Sequence, residues 1–371
     1  DRLMQANRLN LQNFRNYTEQ SLEFGSGVNI LCGDNAQGKT NVLEAIYLFS
    51  MGKANRARRD TELIYHGRES AALTLDFVDG DRESTAQIEL YHNRRKSIRV
   101  NDIPIRKNSE LVGRFRVVYF GPEYLSLVKE GPKQRRRNLD ILISQLRPSY
   151  FSALSDYKKL LDSKNALLKM ERPNMAMLEI LNDKMSSVAA EMIVCRAAYL
   201  DKIGRTAGAI QHEISDGREK LSMRYLSCIG SADGLTQAEV KEKLFARLCE
   251  VSGRELDSRE SVIGPHREDI DYLINEQSAK AFASQGQQKT IVLVQKLAEV
   301  ELMQEETGDY PVLLLDDIMS ELDQKRRSFV LRHIRKTQMF VTCTDLDGLT
   351  VDESTCLFRV ENGTARREGG V

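Results

Sequence analysis

The chain has 371 residues, 41% of them hydrophobic, which is enough to bury one large core or two medium ones. Formal net charge is zero and the isoelectric point is near 7.1, so global charge nominates no partner and local charge has to do so. The six cysteines (Cys32, Cys195, Cys228, Cys249, Cys343, Cys356) contain no C-x-x-C pair and the five histidines no H-x-x-x-H pair, against a disulfide framework or a zinc site. No apolar run approaches the roughly 20 residues that span a bilayer, and Asp1 opens no signal-peptide pattern. The expectation is a soluble, cytoplasmic protein without a membrane partner.

Residues 3–31 alternate like paired strands, Leu9 and Leu11 against Leu22 and Phe24, with Asn13-Phe14-Arg15-Asn16-Tyr17 between them. Val28–Cys32 reads as a short buried strand running into Gly33-Asp34-Asn35-Ala36-Gln37-Gly38-Lys39-Thr40, which fits G-x-x-x-x-G-K-[ST] at every fixed position. Behind it Val42, Leu43, Ile46, Tyr47 and Phe49 recur at helical spacing, so a helix opens at the lysine. A glycine-rich turn lets successive backbone N–H groups wrap a phosphate, and the helix N-terminus adds partial positive charge. Lys39 then reaches the β/γ-phosphates and the Thr40 hydroxyl is placed to ligate Mg²⁺. The plain alternative, a chance glycine turn before a helix, has to explain both flanks as coincidence. The stretch is read as an ATP site.

Gly52 to Arg59 is a basic loop carrying Arg56, either a solvated connection or a phosphate contact. Residues 71–78, 85–91 and 96–106 read as a β-meander, Ile98 and Val100 facing Ile103 and Ile105 across an Asn101-Asp102 turn. Phe115–Phe120 is another strand, ending at Gly121-Pro122-Glu123. From Asn93 to Arg137 thirteen Lys/Arg stand against four Asp/Glu, closing on Arg135-Arg136-Arg137 at a helix start. Dispersed solvated cations would account for that, but the clustering favours a phosphate-backbone footprint.

The period then changes. Leu178, Leu181, Met185, Val188, Met192, Cys195 and Tyr199 step by three and four as a heptad seam, and Phe151, Leu154, Leu161 and Leu168 keep the register upstream. Glu171-Arg172-Pro173-Asn174 breaks the two helices apart. A short antiparallel coiled-coil arm follows, about 20 residues and 30 Å per helix; two core helices of a compact bundle are the competing reading.

Near residue 260 short motifs return. Gly264-Pro265-His266-Arg267 opens a strand through Asp269–Tyr272, and Ser284-Gln285-Gly286-Gln287 precedes an amphipathic helix, Ser284 and Gln287 standing at capping-box spacing. Pro311–Leu315 is an apolar strand ending in Asp316-Asp317. Such a strand presents Asp316 to the magnesium shell and the next acid to the attacking water. Ser320-Glu321-Leu322-Asp323 follows directly, then Met339–Asp345 as a core strand with a polar end.

The order of these pieces resembles ABC-type ATPase heads, and in detail the bacterial RecF family, related to SMC heads. The resemblance spans nearly the whole chain: Leu9 to Tyr17, Gly33 to Thr40, Phe120 to Glu123 with Leu127 to Lys129, Arg135 to Arg137, Gly264 to Arg267, Ser284 to Gln287, and Leu315 to Asp323. It implies an α/β, P-loop ABC-type (SMC-like) head with an inserted helical lobe and the short antiparallel arm. The head is expected at 1–107 and 262–371, the lobe at 108–261.

The resemblance further implies that two chains dimerise on ATP, each nucleotide held between one P-loop and the other chain's signature, here Ser284, Gly286 and Gln287. Lys39 and Thr40 bind phosphate and Mg²⁺, Asp316 the metal shell, and Asp317 orients water. Ser320 and Asp323 form the D-loop. Glu123 falls where most ABC heads carry a Q-loop glutamine, a further candidate for the metal. Asp317 replaces the usual glutamate and Thr344 stands near the usual switch histidine, so hydrolysis is expected to be slow. The implied role is recognising gapped or junction DNA in recombinational repair and, with RecR and RecO, helping to load RecA. Arg56, Arg135, Arg136 and Arg137 are the candidates for DNA contact. Two other classes stay in view. A transporter nucleotide-binding subunit is opposed by the long stretch between Thr40 and Ser284, and an SMC-like tether by the short arm without a C-x-x-C apex.

Overall fold

The computed structural model describes residues 2–334, 336–346 and 355–368; the outermost ends of the expected head, 1 and 369–371, lie outside them. The chain divides into two compact units, Asp1–Ser126 with Val292–Val371, and Leu127–Ile291.

The first unit is built on two six-stranded sheets, with Arg2–Leu3 and Asp309–Tyr310 forming a further short parallel pair. One has the order Thr364–Arg367, Cys356–Glu361, Val28–Cys32, Met339–Cys343, Val312–Asp316, Val117–Phe120. Its pairings are parallel except at the Thr364–Arg367 edge. Val117–Phe120, Val312–Asp316 and Met339–Cys343 are buried at every position, as strands covered on both faces must be. The other sheet is antiparallel, in the order Tyr17–Glu23, Gln5–Phe14, Ser70–Asp79, Arg82–Tyr91, Ser97–Val100, Ile103–Pro104. Leu9 pairs with Leu22, and Val100 with Ile103 across a turn in which Asn101 and Asp102 both take positive φ, so the expected meander is present. Buried Gln338 ties the two sheets: its amide donates to Ala6 O at 2.8 Å and Gly25 O at 2.7 Å, and its Oε1 accepts the Ala6 N–H at 2.8 Å.

The second unit carries the helices Pro132–Leu146, Pro148–Leu168, Met175–Ile214 and Gln237–Glu250, with a sheet of Leu221–Leu226, Asp269–Ile274 and Gln277–Ser278. The break at Lys169–Asn174 falls where Pro173 puts it, and Asn174 caps the next helix by accepting from Met177 N–H at 3.1 Å. That helix has 40 residues, twice the length expected, because Ile203, Ala207, Ile210 and Ile214 continue the buried stripe past Tyr199. Val188 and Cys195 are only half-buried, while Ala189, Ile193 and Arg196 are buried in their place. The helix packs against Pro148–Leu168, Gln237–Glu250, Pro132–Leu146 and Leu221–Leu226, so much of it lies inside the lobe.

The boundaries also move from those expected. Val117–Phe120 pairs with Val312–Leu315 in the parallel sheet, which extends the first unit to Ser126. Asp269–Ile274 pairs with Leu221–Leu226, which keeps the second unit going to Ile291.

Candidate nucleotide site

The carboxyl ends of parallel strands are where α/β sheets bind ligands, and there the first unit gathers its polar residues. Gly33 follows Cys32 into the loop, and a Cβ on it would lie 2.2 Å from Val360 O. Gly38 has φ 117°, a backbone that favours glycine, and N-caps the helix Lys39–Met51. Asp34, Asn35 and Ala36 form the exposed crest, Ala36 at φ 63°.

A support that the sequence reading did not assign lies beneath the loop. Asn16 Nδ2 donates to Gln37 O at 2.9 Å, Tyr17 OH to Gly38 O at 3.0 Å, and Asn41 Nδ2 to Asn16 Oδ1 at 2.8 Å. Asn362 N–H donates to Gln37 Oε1 at 2.6 Å from the other side. Arg15 forks onto buried Glu44 with contacts of 2.8 and 2.9 Å. The Asn13–Tyr17 motif is therefore the underside of the phosphate loop. Beside it opens a cleft of about 710 Å³, lined by Arg15, Asn16, Asn41, Tyr65, His66 and His92 among others.

Lys39 is buried, its ammonium donating to Gly33 O at 2.5 Å and Asp34 O at 3.1 Å, which aims it into the loop. Thr40 Oγ1 donates to Asp316 Oδ1 at 2.8 Å, Thr342 Oγ1 donates to the same oxygen at 2.8 Å, and Tyr119 OH reaches Asp316 Oδ2 at 3.0 Å. Thr342 in turn accepts the Asp317 N–H at 2.8 Å. Asp317 sits at φ 51°, and burial, with Asp316 alongside, raises its carboxyl pKa against the opposing pull of Lys39 and Arg56. Glu123 follows the neighbouring strand: its Oε1 accepts from Asn55 Nδ2 at 3.2 Å, and its charge, after burial and Asp316, raises the Tyr119 hydroxyl pKa. Arg56 Nη1 lies 4.0 Å from Asp316 Oδ2, so this exposed basic-loop arginine reaches toward the acids.

Ser320 Oγ donates to Asp317 O at 2.8 Å, and Asp323 caps the helix Gln324–His333 through Arg326 N–H at 2.9 Å. Thr344 is exposed at the end of its strand. Tyr119 and Thr342 are the contributors that sequence reading missed. Thr342 stood in the polar-ended strand, whereas nothing distinguished Tyr119 within its apolar run.

Ser284, Gly286 and Gln287 belong to the second unit. Ser284 is exposed and forms the reciprocal cap with Gln287, Gln287 N–H to Ser284 Oγ at 3.2 Å and Ser284 N–H to Gln287 Oε1 at 2.8 Å. Gln287 also donates to Glu219 Oε1 at 2.8 Å.

Arg135 corrects an expectation. It is 2% exposed, forks onto Asp269 at 2.7 and 2.9 Å, and gives its remaining nitrogen to the carbonyls of Leu127, Val128 and Glu130. A guanidinium so enclosed is framework, not a DNA contact. Arg136 donates to Glu268 O from a half-buried position, and Arg137 is the exposed member of the three. Gly264 and Pro265 of the Gly264–Arg267 motif are likewise buried, while His266 is half-buried and Arg267 exposed. Arg196 donates to Pro265 O at 2.7 Å, and a Cβ on Gly264, at φ 132°, would lie 2.3 Å from Tyr157 OH.

Comparison with known proteins places this geometry. A family model described as the RecF/RecN/SMC N terminal domain matches residues 5–366. The DNA replication and repair protein RecF of Ruminiclostridium cellulolyticum is 40% identical, covering 97% of this chain and 98% of its own. That of Acetivibrio thermocellus is 38% identical, covering 92% and 94%. A solved structure of the recombination mediator RecF with ATP, from the RecFOR pathway, superposes with a TM-score of 0.92 at 37% identity, over 99% of this chain and 98% of that one. An SMC head domain from Pyrococcus furiosus shares the fold at a TM-score of 0.55 and 17% identity, over 99% and 96% of the two chains. The chain belongs to the RecF family of SMC-related ATPase heads.

Proposed function

We propose that the chain is an ATP-switched DNA-binding protein of replication and recombinational repair, a slow ATPase whose two chains close over ATP. The observation that carries the reading is the Thr40–Asp316 contact of 2.8 Å at the mouth of the Lys39 loop. A hydroxyl and a carboxylate facing each other are hard oxygen donors, the set that suits Mg²⁺. Among the described residues no cluster of three His, Cys, Asp or Glu surrounds them, which fits an ion held by one or two carboxylates together with substrate phosphates. When bound, Mg²⁺ neutralises charge on the β/γ-phosphates. The chain's own residues do the rest. Backbone N–H groups of the loop from Asp34 to Thr40 wrap the phosphates, Lys39 exchanges its loop carbonyls for phosphate oxygens, and Asp317 orients water. The cleft beside Asn16 and Asn41 takes the nucleoside. Ser284, Gly286 and Gln287 cover the γ-phosphate of a second chain.

The RecFOR pathway named for the structural relative supports RecR and RecO as partners; RecA loading downstream and gapped or junction DNA as the substrate belong to the same proposal. The test is ATP turnover with gapped DNA. Turnover is expected to be slow, and to fall at least tenfold in Asp317→Asn with ATP affinity retained; equal turnover in the variant contradicts the assignment.

A further inference from the structure

The helix Lys39–Met51 carries the phosphate loop at one end and, 13 residues and about 20 Å later, ends at Gly52. Gly52 closes it at φ 63°, and its carbonyl accepts from the Lys96 ammonium, whose other partner is Asp60 Oδ2 at 2.9 Å. A Cβ on Gly52 would lie 3.2 Å from the side chains of Asn108 and Leu111. The far end of the helix is thus clasped by the turn before Ser97–Val100 and by the segment that follows the Ile103–Pro104 hairpin.

That clasp is strongly basic. Ile105 N–H donates to Ile98 O at 2.8 Å, so Arg106 and Lys107 run back beside Ser97 and Lys96, next to Arg94 and Arg95 in the turn. Arg94, Arg95, Arg99, Arg106 and Lys107 are exposed, and among the described residues no ion pair ties any of them to a carboxylate. Arg94 lies 3.6 Å over the Tyr91 ring, which spreads it on the surface. The adjacent acids accept from other donors, Glu89 from Tyr91 OH at 2.7 Å and Glu110 from the Arg106 N–H at 3.4 Å. Protection of a sheet edge against strand pairing accounts for a lysine and a proline there. It does not account for five cations, nor for their attachment to the nucleotide helix.

The loop between Gly52 and Asp60 ties the same place to the site acids, Asn55 to Glu123 at 3.2 Å and Arg56 beside Asp316 at 4.0 Å. We propose that Arg94, Arg95, Arg99, Arg106 and Lys107 form a contact surface for the DNA phosphate backbone, and that the Gly52–Asp60 loop, held by Lys96, links its engagement to the nucleotide. The proposal rests on the reading that the chain binds DNA under ATP control. A γ-phosphate brings new negative charge beside Asp316 and draws the Arg56 guanidinium; the displacement passes along the loop to Asp60 and Lys96.

The probe is a fluorescein-labelled gapped duplex, titrated by anisotropy over a KCl series with ATP and with no nucleotide. Replacing Arg94, Arg95, Arg106 and Lys107 together by Ala should weaken binding tenfold or more. It should flatten the log–log salt slope by about 0.9 per lost duplex contact, with ATP affinity unchanged. Lys96→Met, or the gentler Asp60→Asn, should keep nucleotide-free binding and lose the gain on adding ATP. An unaltered slope in the fourfold variant overturns the surface while leaving DNA binding itself intact. A full ATP gain in both Lys96→Met and Asp60→Asn overturns the link. Absence of salt-dependent DNA binding in the unmutated chain removes the functional reading and this surface together.

Discussion

Thr40 and Asp316, 276 residues apart in sequence, meet through a hydrogen bond of 2.8 Å from the threonine hydroxyl to Oδ1. Thr342 supports the same oxygen and Tyr119 the other, so the loop and three strands of one sheet fix a single carboxylate. A buried acid with both oxygens occupied is held in orientation before any ligand arrives, as electrostatic preorganisation requires.

Lys39→Ala removes the buried cation that the loop surrounds. A charge-assisted hydrogen bond of this kind is worth about 1.5–3 kcal/mol, so ATP affinity should fall tenfold or more. Calorimetric titration of ATP into the variant measures this; unchanged affinity contradicts the site.

Arg135 and Arg137, two residues apart, should behave oppositely. Arg135→Ala leaves Asp269 without its fork and three carbonyls without a donor, and breaking a buried pair from one side typically costs about 3–5 kcal/mol. Thermal melting should show a large drop for Arg135→Ala and little change for exposed Arg137→Ala. Equal melting temperatures would contradict the framework role.

What the sequence made legible was local. A glycine turn between an apolar strand and a periodic helix names itself, as does an apolar run ending in two aspartates. The Asn101-Asp102 hairpin and the Pro173 break were legible for the same reason. What it hid depends on distant partners. Arg135 reads as surface charge because Asp269 lies 134 residues away. Val117–Phe120 falls outside the expected head at 1–107 because its neighbour in the sheet, Val312–Asp316, comes much later in the chain. The framework role of Gly264, Pro265 and His266 is set by contacts to Tyr157 and Arg196, which no spacing within the motif reveals.

His266 should give the fold a pH dependence. Its Nε2 donates to Ser261 O at 3.2 Å and its Nδ1 accepts from Tyr157 OH at 2.7 Å, and burial lowers its pKa from 6.5 to about 4. The unfolded chain therefore binds more protons between these values, so this group's stabilisation is complete above pH 6.5 and is lost as pH falls towards 4. Melting temperature measured across that window should decline toward acid, and His266→Gln should show a shallower decline. Identical slopes would contradict the neutral, half-buried imidazole.

Ser284→Arg tests closure between chains. The exposed cap should lose its place over a partner's nucleotide while the P-loop, in the other unit, still binds ATP. ATP-dependent dimerisation should disappear in ultracentrifugation, and mixing with Lys39→Ala chains should restore some heterodimer through one composite site. Dimerisation of Ser284→Arg alone like the unmutated chain contradicts the role given to Ser284, Gly286 and Gln287.

The central claim is that ATP switches DNA binding, and a titration of the unmutated chain onto gapped duplex with ATP, ADP and no nucleotide, repeated across salt concentrations, tests it most directly. The account predicts the tightest binding with ATP and a fall in affinity with salt in every state, steepest where the most phosphates are contacted. Equal affinity in all three nucleotide states would contradict it.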